Sequence, residues 1–341
     1  MIRLLNLFAF TSLIASSVSV AAPNLDLDTY AKAGERVDIG QSRRLNLRCS
    51  GKGEPAVILE SGAVADSFDW FKVQPLISPF ARVCSYDRAG YGFSDGGASK
   101  DYIAGSADDL HRLIRVAHIP TPVVLVGHSL GTDIVRNFAM HFPNEVAALV
   151  LLDPPPQGIQ DATATQRQER DEANAGRAAM LEACKKGATK LQSDPPPAEL
   201  KSCLRPPNPD YSAKLNAARR TSKTKPAFWD STAYALDAGS ALDFQPVAAT
   251  EKHGDLPLLI LQPDAPFDGM PPEERTMLEA ARQRTQNLIA ATSRRAEIVP
   301  VMHSSHDVQF DRPDAVVDAV RKAIGELSGS SAPADLAKPK K

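Results

Sequence analysis

One pentapeptide constrains this chain more than any other stretch: Gly127-His128-Ser129-Leu130-Gly131. It lies directly between an apolar run, Val123-Val124-Leu125-Val126, and a helical run, Thr132 to His141. A G-x-S-x-G pattern at a strand-to-helix turn is a sharp reversal. Neighbouring backbone there comes too close for a Cβ, so glycines flank the serine. The reversal lifts the Ser129 hydroxyl above the sheet edge, and the helix N-terminus behind it offers positive potential to a developing oxyanion.

The surroundings fit such a turn. Val57-Ile58-Leu59, Val83 to Tyr86, Ala148 to Leu152, Leu258 to Leu261 and Ile298 to Val301 are short runs rich in Val, Ile and Leu. From about residue 45 onward they alternate with helical patterns, which predicts a parallel sheet buried on both faces and an α/β fold. Ser106 and Asp109 suggest a capping box for a helix over 106–117, with Leu110, Leu113, Ile114 and Ala117 as its apolar face. Pro313 opens a closing helix with Val316, Val317, Val320 and Ile324 as its buried stripe.

Residues 154–250 break the rhythm. They hold Pro154-Pro155-Pro156, an Ala/Gln/Glu/Arg-rich helical piece near 165–192, Pro195-Pro196-Pro197 and no clear strand. This predicts a helical insertion the size of a lid, dividing a core into 23–153 and 251–327. Residues 328–341 are small, polar and Pro-containing, as in a flexible tail. With 43% hydrophobic residues a disordered chain is excluded, and a net charge of −2 gives no footprint for nucleic acid or an anionic membrane.

Residues 1–22 carry Arg3, a short apolar core and a small-residue end at Ala21-Ala22, the pattern of a secretory signal peptide. The apolar core is shorter than the ~20 residues of a spanning helix, so an exported chain, periplasmic or secreted and without stable membrane insertion, is expected. In an oxidising compartment the four cysteines suggest disulfides. Cys49 and Cys84 lie in strand-like runs, while Cys184 and Cys203 lie close together in the polar segment. Cys49–Cys84 and Cys184–Cys203 are the expected pairs. The cysteine spacing fits no zinc or thioredoxin motif.

Two further segments carry a resemblance. Tyr86-Asp87-Arg88-Ala89-Gly90-Tyr91-Gly92-Phe93-Ser94 looks like the D-R-x-G-x-G-x-S segment of the α/β-hydrolase superfamily. Ser305-His306-Asp307 with Asp311-Arg312-Pro313 resembles its histidine loop and final helix. The resemblance covers roughly residues 45–153 and 255–326. It implies a mostly parallel eight-stranded α/β-hydrolase sheet flanked by helices, with Ser, acid and His in that order along the chain. In that sheet the second and fourth strands are neighbours, which agrees with Cys49–Cys84.

A serine hydroxyl needs an adjacent base. Of the seven histidines, His303 and His306 follow the final strand, and family position selects His306. The base needs a carboxylate on its other nitrogen. In most relatives this follows the seventh strand, where Pro266 falls in this chain, with Asp264 two residues before and Asp268 two after. A minority, such as the haloalkane dehalogenases, take it from the end of the sixth strand, which here is Asp153. Asp153 is the first choice, with Asp264 and Asp268 open. The oxyanion donors expected from the family pattern are the backbone N–H groups of Leu130 and of Ala63, in Ser61-Gly62-Ala63 where relatives show His-Gly. Asp87 and Arg88 are expected to tie the turn after the fourth strand. Phe228, Trp229 and Tyr234 either line an acyl pocket or hold the lid to the core.

These residues imply an exported serine hydrolase acting on a small-molecule carboxylic ester through a Ser129–His306–Asp153 triad, with no cofactor or metal implied. A perhydrolase or haloperoxidase-type enzyme, a lipase-like enzyme, or a catalytically dead binding protein of the same fold are the alternatives. Epoxide hydrolase and dehalogenase chemistry need a carboxylate where Ser129 stands.

Overall fold

A computed structural model describes residues 26–159, 163–193 and 195–329. The expected signal peptide lies outside these residues, as does the tail from 330 onward. The elements run β1 (Glu35–Asp38), β2 (Arg44–Ser50), β3 (Val57–Glu60), α1 (Gln74–Ile77), β4 (Val83–Asp87), α2 (Tyr102–Val116), β5 (Val123–His128), α3 (Leu130–His141) and β6 (Val146–Leu152). Three helices follow, α4 (Ala164–Lys186), α5 (Ala213–Ser222) and α6 (Pro226–Leu242). The chain then returns through β7 (Leu258–Pro263), α7 (Pro272–Ala290), β8 (Ala296–Val301), α8 (Val308–Asp311) and α9 (Pro313–Gly329).

The strands form one sheet in the order β1-β2-β4-β3-β5-β6-β7-β8. From β4 through β8 every pairing is parallel, and β2 alone runs against its neighbours β1 and β4. This is the mostly parallel eight-stranded sheet expected. Its central strands are buried along their whole length because helices cover both faces. β1 escaped the sequence reading because only Val37 of its four residues is buried. It is an edge strand without a hydrophobic run.

Two local expectations changed. α2 begins at Tyr102 rather than Ser106, so Ser106 and Asp109 lie inside the helix and cap nothing. The extra turn seats the buried Tyr102 side chain, whose hydroxyl accepts a hydrogen bond from Arg88 Nε at 2.9 Å. Asp109 instead accepts both terminal nitrogens of Arg43, each at 2.6 Å. Pro313 does open α9, and Val316, Val317 and Val320 are buried beneath it.

The cysteines pair as expected. Cys49 and Cys84 face each other across β2 and β4, and Cys184–Cys203 joins α4 to the 3-10 turn Ala198–Cys203. Two disulfides suit an oxidising, extracellular environment. No described helix is long and apolar enough to cross a membrane.

The helices between β6 and β7 are fastened to the core by aromatic and polar contacts. Phe228 packs edge-on against Tyr91, with centroids 5.5 Å apart, and Ser231 Oγ donates to Ala89 O at 2.7 Å. Gly90 makes this approach possible, because a Cβ there would lie 2.1 Å from Ser231 Oγ. Trp229 is buried and donates to Lys223 O. A second contact centres on Phe68, which meets Tyr30, Phe71 and Tyr211 at 5.0 to 5.4 Å, with Arg219 of α5 over its face. Phe71 in turn meets Phe310 of α8.

A buried charge cluster ties α3 to the loop before β7. Arg136 bonds Glu251 through two nitrogens, at 2.8 and 2.6 Å, and Asp133 through a third. Burial resists ionising Glu251, but the His253 and Arg136 contacts outweigh it and hold its pKa down at about 2. A depressed carboxylate stabilises the fold above its unfolded pKa, and that contribution is lost as pH falls through the folded value. Glu251→Gln is therefore expected to cost about 3–5 kcal/mol at neutral pH. The gap to the unmodified chain should close between pH 4.5 and about 2. Denaturant titrations at several pH values measure it.

Candidate active site

The carboxyl ends of β3, β5, β6, β7 and β8 converge on one edge of the sheet, where open α/β sheets place their sites. Among the described residues, seven non-glycine positions have positive φ, and four lie here: Val64 (59°), Ser129 (51°), Asp153 (41°) and His303 (59°). Backbone held so costs of order 1–3 kcal/mol per residue and persists where surrounding contacts over-determine it.

Those contacts are visible around the turn. A Cβ on Gly131 would lie 2.6 Å from Ser61 O, and one on Gly62 would lie 2.9 Å from His128 Nδ1 and 3.3 Å from Ser129 Cβ. The two glycines thus let the loop after β3 and the turn after β5 touch. Ser129 N donates to Leu152 O, which brings the serine beside the end of β6. The next residue of that strand's chain is Asp153.

Asp153 is buried and His306 is drawn to it: His306 Nδ1 donates to Asp153 Oδ2 at 2.7 Å. Fixing the proton on Nδ1 leaves Nε2 as the basic nitrogen. Burial disfavours charging the ring, but the hydrogen bond and charge of Asp153, helped by Asp307, prevail and raise the His306 pKa above its ordinary 6.5. Among the described residues the Ser129 hydroxyl forms no hydrogen bond, and it is partly open to solvent. Serine–histidine contacts often tighten only when substrate is bound.

The other acids sit differently. Asp264 is exposed, and its carboxylate accepts the backbone N–H groups of His303 and Ser304, each at 3.0 Å. It shapes the loop that carries His306 without touching the ring. Asp268 is 77% exposed and, among the described residues, pairs with Arg275 alone, at 4.0 Å. His128 is buried, and its Nε2 donates to the backbone carbonyl of His306 at 2.9 Å. Burial and the neighbouring His306 push its pKa down to about 3, so it stays a neutral strut.

Arg88 does something the sequence reading missed. Asp87 does tie its own turn, accepting Phe93 N and Asn46 Nδ2, but Arg88 reaches across to the loop after β3. It pairs with the buried Glu60 and donates to the carbonyls of Ser61 and Gly62. The Gly62 carbonyl shares a trans peptide with the Ala63 N–H, and the two point in opposite directions. Anchoring the carbonyl therefore aims the N–H. Neither the Ala63 nor the Leu130 N–H donates to another described group. Ser61 Oγ, accepting Trp70 Nε1 at 3.0 Å, completes the bracing. Arg88→Lys, which cannot span both carbonyls, is expected to lower kcat by about 10²-fold, with a smaller effect on KM. Steady-state kinetics beside a thermal melt separate this from simple destabilisation.

Arg282 was also missed. Its Nη1 donates to Asp153 Oδ1 at 3.2 Å from a buried position on α7. Arg282 shares the inward face of that helix with Ala281, Thr285, Gln286 and Ile289, a face too polar to stand out in the sequence. Among the described residues no group of three or more His, Cys, Asp or Glu is placed to hold a metal ion.

A family model for the alpha/beta hydrolase fold matches residues 55–244. The chain belongs to this family. An AB hydrolase superfamily protein of Gibberella zeae is 33% identical to this hydrolase-fold chain over 120 residues, 33% of this chain and 37% of that protein. The chain spans well under half the length of the curated relatives it matches first. Among solved structures, a thermophilic esterase from Thermogutta terrifontis superposes with a TM-score of 0.54 at 19% identity, covering 87% of this chain and 99% of that one. A bromoperoxidase from Bacillus anthracis gives 0.59 at 16% identity, covering 86% and 100%. Such low identities establish the shared hydrolase fold alone.

Proposed function

We propose that this chain is an exported serine hydrolase that cleaves carboxylic esters of modest size through an acyl-enzyme. The observation that carries it is the hydrogen bond from His306 to the buried Asp153, formed at the sheet edge beside a serine in a strained turn. His306 Nε2 takes the Ser129 proton as Oγ bonds to the ester carbonyl carbon. The carbonyl electron pair becomes an oxyanion between the Ala63 and Leu130 N–H groups, and Asp153 steadies the imidazolium. The oxyanion collapses, the alkoxide leaves with the proton from His306, and Ser129 stays acylated. Water then repeats the sequence, giving its proton to His306 and releasing the carboxylic acid. The helices of 164–242 act as a lid over this edge. A small ester is the partner, and the disulfides favour the periplasm or the cell exterior.

A fluorophosphonate probe at neutral pH tests the chemistry. Labelling should map to Ser129, and correctly folded protein left unlabelled there overturns the proposal. A panel of chromogenic esters then reports the acyl length by its optimum. Background rates across the whole panel would point to a binding protein instead.

A further inference from the structure

We propose that Arg282 is a positioning residue for the Ser129–His306–Asp153 apparatus, holding Asp153 from the side opposite the imidazole and so moderating how tightly His306 keeps a proton. This rests on the acyl-transfer proposal above and adds a residue to it.

The geometry divides one carboxylate between two donors. His306 Nδ1 takes Oδ2 at 2.7 Å and Arg282 Nη1 takes Oδ1 at 3.2 Å. Both Arg282 and Asp153 are buried, with side chains 3% and 2% exposed. The remaining guanidinium nitrogens, Nε and Nη2, hold Glu279 one turn earlier on α7, a carboxylate that is 44% exposed. The guanidinium thus bridges a buried acid and a solvated one, and Glu279 fixes the direction of the fork.

The charge balance gives this arrangement a purpose. A buried carboxylate with no cation beside it stabilises any neighbouring proton strongly. Without Arg282, the neutral ring would leave one uncompensated negative charge in the interior, and protonating His306 would cancel it. The ring would then hold its proton to a higher pH and act as a base over a narrower range. With Arg282 in place, Asp153 is already paired when His306 is neutral, so a proton on the ring gains less from the carboxylate. The groups facing His306 are Asp153 and Asp307, which favour the charged ring, Arg282, which opposes it, and the neutral His128. Those facing Arg282 are Asp153 and Glu279.

The test follows the rate of fluorophosphonate labelling of Ser129 against pH, in the unmodified chain and in Arg282→Gln, Arg282→Lys and Glu279→Gln. The labelling midpoint of Arg282→Gln should rise by about one pH unit or more, with rates recovering at high pH. Arg282→Lys, which keeps the charge, should stay near the unmodified midpoint. Glu279→Gln removes a partly solvated negative charge, so its midpoint should fall, and it carries the test if Arg282→Gln does not fold. An unshifted midpoint in Arg282→Gln, with rates reduced equally at every pH, overturns the proposal and leaves a structural arginine. A midpoint in Glu279→Gln that is unchanged or raised does the same. Absence of labelling in the unmodified chain is a separate failure, that of the acyl-transfer mechanism itself.

Discussion

Ser129→Ala and His306→Ala are each expected to lower kcat for an activated ester by about 10⁶-fold, and the double variant by no more than either single one. The nucleophile and its base act as a unit, because a hydroxyl without a base is a poor nucleophile and a base without the hydroxyl has no proton to take. The residual rate measures what the Ala63 and Leu130 N–H groups and substrate binding supply alone. Both side chains are partly open to solvent, so neither change should disturb the core, and melting curves should coincide with that of the unmodified chain. Burst kinetics with a chromogenic ester measure the loss. Single losses that multiply in the double variant would mean that the two residues act independently, and the acyl-transfer mechanism would fail.

Asp153→Asn is the second large effect, expected at about 10⁴-fold in kcat. An amide in place of the carboxylate presents either a neutral oxygen or an N–H to His306 Nδ1, and the second choice puts the ring in the wrong tautomer. The Arg282 guanidinium competes for the amide oxygen, which favours that wrong choice. Asp264→Asn should cost less than about tenfold. It retains one acceptor oxygen for the backbone of the histidine loop, where two donors now bond. Asp268→Asn should change nothing measurable. Equal turnover by Asp153→Asn and the unmodified chain would remove Asp153 from the mechanism.

Much of this was legible in the sequence, because the local signals and the tertiary fold agree. The Val123–Val126 run, the glycines around Ser129 and the histidine after β8 each specify a local geometry that the parallel sheet then brings to one edge. The acid was harder to read. Choosing among Asp153, Asp264 and Asp268 requires knowing where His306 Nδ1 points, and that depends on a loop held by His128 and Asp264 through backbone atoms. Backbone contacts leave little trace in residue type. Arg88 and Arg282 were illegible for a related reason. An arginine serving another residue's peptide or carboxylate, 26 or 129 positions away, resembles any surface arginine until the chain is folded. The early start of α2 belongs to the same class, since a buried Tyr102 overrode the capping signal at Ser106.

The ring of Phe68 touches Tyr30 of the 3-10 turn Leu27–Ala31, Tyr211 of the insertion and Phe71, the neighbour of α8, and it sits on the segment that follows Ala63. An engineer who transplants residues 164–242 from a distant relative therefore replaces more than a cover. A graft that brings no partner for Phe68 would register as slower turnover as well as altered selectivity, so chimeras of this family should be screened on rate and not on affinity alone.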